Sequence, residues 1–125
     1  MYVFRNPNPL KKITGDCVIR AISIILDQSW ETTFLEITSI GLSMCDMPSS
    51  NEVWDKYLSY VGYHRHIVPD MCPEYVTVKD FCRQNSRGKY ILATGDHLIA
   101  VIDGDHYDIY DSENEVPIFY YSKGD

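Results

Sequence analysis

Between Val18 and Leu26 only Arg20 and Ser23 interrupt an apolar run, Val18-Ile19-Arg20-Ala21-Ile22-Ser23-Ile24-Ile25-Leu26. A helix with so little polar surface has to be buried on most of its circumference. It therefore reads as a central helix that the rest of the chain must cover. At 125 residues the chain can bury roughly two-thirds of its unfolded surface. That length predicts a single domain over residues 1–125.

The material for that cover can be read along the chain. Asn6-Pro7-Asn8-Pro9 predicts a lead-in loop over residues 1–15, and Asp16 is placed to cap the central helix. Asp27-Gln28 breaks that helix, Ser29 can cap a second over residues 30–40, and Gly41 is placed as its stop. Ser49-x-x-Glu52 has the spacing of a capping box and precedes Val53, Trp54, Tyr57, Leu58 and Val61, an apolar stripe at helical period ended by Gly62. A short strand fits residues 63–68, a loop 69–73, and Thr77-x-x-Asp80 opens a short helix carrying Phe81 and Cys82. From Lys89 the pattern changes to strands over 90–94, 97–102, 106–111 and 117–121. Helices first and sheet second predict an α+β fold, with the buried central helix packed on a C-terminal antiparallel sheet.

Composition narrows the function classes. Hydrophobic residues make up 45% and charged residues 23%, with no apolar run approaching the length of a membrane span. No secretory signal is visible at the N-terminus, so a cytoplasmic setting is expected. Cys17, Cys45, Cys72 and Cys82 have irregular spacing and read as free thiols, with Cys82 in the core and Cys45 and Cys72 in loops. His64 and His66 have no recognised zinc-ligand spacing, and Asp103, Asp105 and Asp108 lack the distal Glu of a calcium loop and read as a solvated hairpin tip. No metal or cofactor is expected. A net charge of −7 argues against nucleic acid as partner, because phosphate binding needs clustered Lys and Arg.

The chemistry concentrates at two points. Cys17 follows Gly15-Asp16 at the start of the central helix, and His97 opens the apolar strand His97-Leu98-Ile99-Ala100-Val101. A thiol is a nucleophile as thiolate, and a helix N-terminus with an imidazole nearby lowers its pKa. If the hairpin loop is Asp103-Gly104-Asp105, the register sets His97 opposite Asp111, close enough for the carboxylate to orient the imidazole. A two-residue loop would instead bring Tyr110 or Ser112 opposite His97.

Three blocks in order, residues 15–21 around Cys17, the strand Gly88-Lys89-Tyr90-Ile91-Leu92, and residues 96–112 around His97 and Asp111, resemble small papain-like cysteine peptidases of phage and bacterial origin. The chain is also similar to the double-glycine leader peptidase domains of bacteriocin exporters. The resemblance implies Cys17 as nucleophile, His97 as general base and then acid, and Asp111 as orienter. It further implies an oxyanion hole made by the Cys17 backbone N–H and an upstream side chain. Where such enzymes usually carry a Gln, this chain has Lys11 and Lys12; Asn8 and Thr14 are the neutral donors available, and Asn8 is the choice.

The expected function is hydrolysis of a peptide or isopeptide bond in a protein or peptide substrate, through an acyl-enzyme. Two alternatives use the same fold. One is a weakly active or inactive binding protein, such as a phage or bacterial factor that engages a host protein. The other is an acyltransferase or transglutaminase-like enzyme.

Overall fold

The computed structural model describes residues 1–68 and 76–123. The expected loop at 69–73, with Cys72, lies outside them. In chain order the elements are β1 (Tyr2–Phe4), α1 (Cys17–Leu26), α2 (Trp30–Met44), α3 (Asn51–Tyr60), β2 (His64–Ile67), α4 (Val78–Gln84), β3 (Lys89–Ala93), β4 (Leu98–Ile102), β5 (Asp105–Asp108) and β6 (Phe119–Ser122). The architecture is α+β.

Six strands form one sheet in the order β1-β5-β4-β3-β6-β2. It is mixed, where the sequence predicts an antiparallel one: residues 2–4, expected in a lead-in loop, pair in parallel with β5, Tyr2 beside His106 and Phe4 beside Asp108. Alternation along the strands divides the core in two. Ile91, Ala93, Leu98 and Ala100 face the cluster built by α1, α2 and α3. Leu92, Ile99 and Val101 face Val78, Phe81 and Cys82 of α4. Helix α1 is the inner member of its layer: eight of its ten residues are buried, Arg20 and Ser23 among them. Ser23 satisfies its hydroxyl on the Ile19 carbonyl at 2.6 Å, which lets a polar residue sit in that position.

Two helix boundaries differ from the sequence reading, and one expected cap bond is absent. Gly41 does not stop α2, which continues to Met44 and ends with Cys45 in the left-handed region, φ 55°. The glycine serves close approach: the Asp46 N–H donates back to the Gly41 carbonyl, and a Cβ at residue 41 would lie 2.6 Å from the Asp46 carbonyl oxygen. Ser50, not Ser49, precedes α3, and its side chain makes no cap hydrogen bond. Asp16 stands at the N-cap of α1, but its carboxylate is drawn elsewhere. The capping box of Thr77 and Asp80 forms as expected, with both reciprocal bonds present.

Candidate active site

Cys17 is the first residue of α1, so its backbone N–H is among the first-turn amides that no helical carbonyl accepts. The apolar run behind it fixes the helix in the core, and that seats the half-buried thiol against the sheet end where β4 begins. His97 immediately precedes β4, after a Gly95-Asp96 turn in which Gly95 takes φ 117°. The imidazole and the thiol line the same cavity and each shifts the other's titration. The sequence-predicted pair is thus brought together.

The third member is not the one expected. His97 Nε2–H donates to Asp108 Oδ2 at 2.6 Å, and Asp111 instead accepts from His106 Nε2 at 3.2 Å. The reason is register. The β4–β5 turn is the two residues Asp103 and Gly104, with φ of 50° and 84°, and pairs Ile102 with Asp105 and Val101 with His106. Asp-Gly is the dipeptide that favours a tight two-residue hairpin, because both positions need positive φ. Continued outward, this register carries Asp111 past His97 and brings Tyr110 across from it. The Tyr110 ring stacks on the imidazole, with centroids 5.3 Å apart and planes inclined by 26°.

Asp108 is no part of a solvated hairpin tip: its side chain is 2% exposed. Besides His97 it accepts from the Ile109 N–H at 2.8 Å and the Ser112 hydroxyl at 3.0 Å. The Arg20 guanidinium lies 3.9 Å away. Such partners compensate the burial of the carboxylate. Arg20 in turn pairs with Asp16, which also accepts from Trp30 Nε1 at 2.9 Å and Asn8 Nδ2 at 3.2 Å. One polar chain therefore runs from Asn8 through Asp16 and Arg20 to Asp108, His97 and Cys17. It explains how α1 tolerates a buried arginine.

The oxyanion role expected of Asn8 does not fit this geometry. Asn8 is buried, its amide engages Asp16, and its side-chain oxygen accepts from the Leu10 N–H at 2.9 Å. It holds the loop before α1, while the cavity at the thiol is lined by other residues. The Cys17 N–H stands at the helix start.

Burial pushes the Cys17 thiol up. Hydrogen bonding from His97 and the Leu98 N–H, with the charges of His97 and Arg20, more than reverses this, so the thiol titrates below its ordinary value. For His97, burial works against the proton, yet the hydrogen bonds to Asp108 and Cys17 and the charges of both push it up to about 10. The two shifts favour a thiolate facing an imidazolium. Buried Cys82 is moved the other way by desolvation.

The pair opens on a cavity of about 490 Å³ between the start of α1, α3 and the sheet end. Trp54, Phe119, Tyr121, Val18 and Leu98 give it apolar walls. Among the described residues no group of three or more His, Cys, Asp or Glu is arranged to hold a metal ion, and no helix is long and apolar enough to cross a membrane.

Asp108 and Arg20 are the site residues that sequence reasoning does not assign; Tyr110 and Ser112 enter it only as the outcome of a two-residue loop. That loop forms at Asp103-Gly104, and Tyr110 meets His97. No protein-family model, curated protein or solved structure matches the chain.

Proposed function

We propose that the protein is a thiol hydrolase of papain-like architecture that cleaves a peptide or isopeptide bond in a protein or peptide substrate. The observation that carries this reading is the continuous Cys17–His97–Asp108 arrangement at the rim of an open cavity. A buried structural cysteine has its thiol pKa raised, as Cys82 does; Cys17 departs in the opposite direction.

In this reading the Cys17 thiolate attacks the substrate carbonyl carbon, and the carbonyl electron pair moves onto oxygen, held by the Cys17 N–H at the positive end of α1. Collapse of the tetrahedral adduct expels the amine, which takes its proton from His97, and leaves a thioester. His97, now neutral, removes a proton from water as that water attacks the thioester. The acid is released and the thiolate–imidazolium pair regenerated. Asp108 keeps the imidazole in one tautomer and orientation throughout. Tyr110 covers the face of the ring.

The test is alkylation by iodoacetamide across a pH series, with the modified sites mapped by mass spectrometry. Cys17 is expected to label far faster than exposed Cys45 at pH 6–7, where an ordinary thiol of pKa about 8.5 is only a few per cent ionised. Equal rates at the two cysteines would refute an activated nucleophile. With a cleavable peptide in hand, an added amine distinguishes hydrolysis from acyl transfer, since a transferase would yield the new amide in place of the acid.

A further inference from the structure

The cavity at Cys17 has a charge pattern that the hydrolytic chemistry does not use. Its walls carry three carboxylates, Glu52 and Asp55 on α3 and Asp96 beside His97, and one cation other than the imidazole, Arg65 on β2. Arg65 and Asp55 each have a partner of their own. The guanidinium lies 5.0 Å from the centroid of the Phe119 ring, and Asp55 accepts from the Tyr121 hydroxyl at 2.7 Å. Together they add one positive and one negative charge to the lining.

Glu52 and Asp96 remain, both exposed, both lining the cavity and with no hydrogen-bond or ion-pair partner among the described residues. Trp54, Val18, Leu98 and Phe119, all apolar, line the same cavity. Apolar walls combined with uncompensated negative charge match a side chain with a hydrocarbon stem and a cationic head. They disfavour an acidic side chain, which would meet like charge, and the net charge of −7 adds to the same bias.

We infer that the substrate presents a lysine or arginine within a residue or two of the carbonyl that meets Cys17, with its stem against the apolar lining and its charge answered by Glu52 and Asp96. This rests on the thiol-hydrolase reading above, which supplies the reacting carbonyl. Asp96 adjoins His97, so a bound cation there also anchors the substrate next to the base. Glu52 lies in the first turn of α3, where the helix end stabilises its charge.

Tripeptidyl chloromethyl ketones test the inference without a known substrate, because the thiolate displaces chloride and leaves a stable carbon–sulfur bond. Three series carry Lys, norleucine or Glu at one or the other of the two residues nearest the ketone, and labelling of Cys17 is followed by mass spectrometry. The wild type is expected to favour Lys over norleucine on the order of tenfold in at least one position, and to react slowest with Glu. In the Glu52→Gln/Asp96→Asn double variant the Lys-to-norleucine ratio should fall to near unity. In Glu52→Lys it should invert in favour of Glu. Both residues are exposed, so folding is expected to survive, and circular dichroism checks it. Equal Lys and norleucine rates in the wild type, or a preference that survives in the double variant, would overturn the inference and leave the nucleophile reading intact. A Cys17 that reacts no faster than Cys45 with every probe would overturn the nucleophile reading, and this inference with it.

Discussion

Asp108 and Asp111 are three residues apart and both accept from a histidine, yet only Asp108 is tied to the thiol. Asp108→Asn keeps the shape and removes the charge that fixes the His97 tautomer, so Cys17 alkylation at about pH 6.5 should drop by roughly 10²-fold or more. Asp111→Asn should leave that rate within about twofold, because its partner His106 is a separate pair. A larger loss for Asp111 than for Asp108 would reverse the assignment. The pH dependence follows from the direction of the His97 shift. Folding raises its pKa from about 6.5 to about 10. The stabilisation it contributes is therefore complete below about pH 6.5 and is lost as pH rises through about 10. His97→Gln should accordingly lower Tm most on the acid side, with the deficit shrinking towards pH 10. Thermal melts of both proteins across that range would detect the opposite trend if the proton were not held. Cys17 and His97 are legible in sequence because each stands at a boundary between a turn and an apolar element. Asp108 is not, because three aspartates around one glycine look alike until the register decides which turns inward.

Elements differ in how local their instructions are. The Thr77–Asp80 capping box can be read directly, since both partners lie within one turn of helix. Strand β1 cannot: three residues behind Asn and Pro pair with β5 about a hundred positions away, and no periodicity marks so short a strand. Gly41 is misleading for a related reason. A glycine near the end of an apolar pattern has the look of a stop signal, but here it sits inside α2 so that the chain can fold back against it. Gly41→Ala would force the Asp46 carbonyl, 2.6 Å from the new Cβ, to move. A loss of about 1–3 kcal/mol in urea denaturation is expected. A stabilised variant, as helix propensity alone would suggest, would show that the turn relaxes freely.

Over the whole molecule, the two sides of the site come from different layers: the Cys17 thiol from the helices and His97 with the Asp108 carboxylate from the sheet. Arg20 is the polar link between them, buried with Asp16 on one side and Asp108 on the other. Arg20→Ala removes the guanidinium from two buried carboxylates. It should lower stability by about 3–5 kcal/mol in chemical denaturation, and more than the loss of side-chain packing alone would do at a surface position. Arg20→Met, of similar length and without charge, should be no better tolerated, because both acids remain. If Arg20→Met instead matched the wild type, the acids would be holding their charge without the guanidinium.

The division of the site between layers also makes the thiol a conditional reagent. An unfolded or half-assembled chain carries Cys17 far from His97 and Asp108, with an ordinary thiol that is mostly protonated near neutrality. The lowered pKa at residue 17 arises with the docking of α1 on β4 and is erased by its undocking. In the proposed hydrolase the chain thus remains chemically quiet towards its own neighbours until folding is complete.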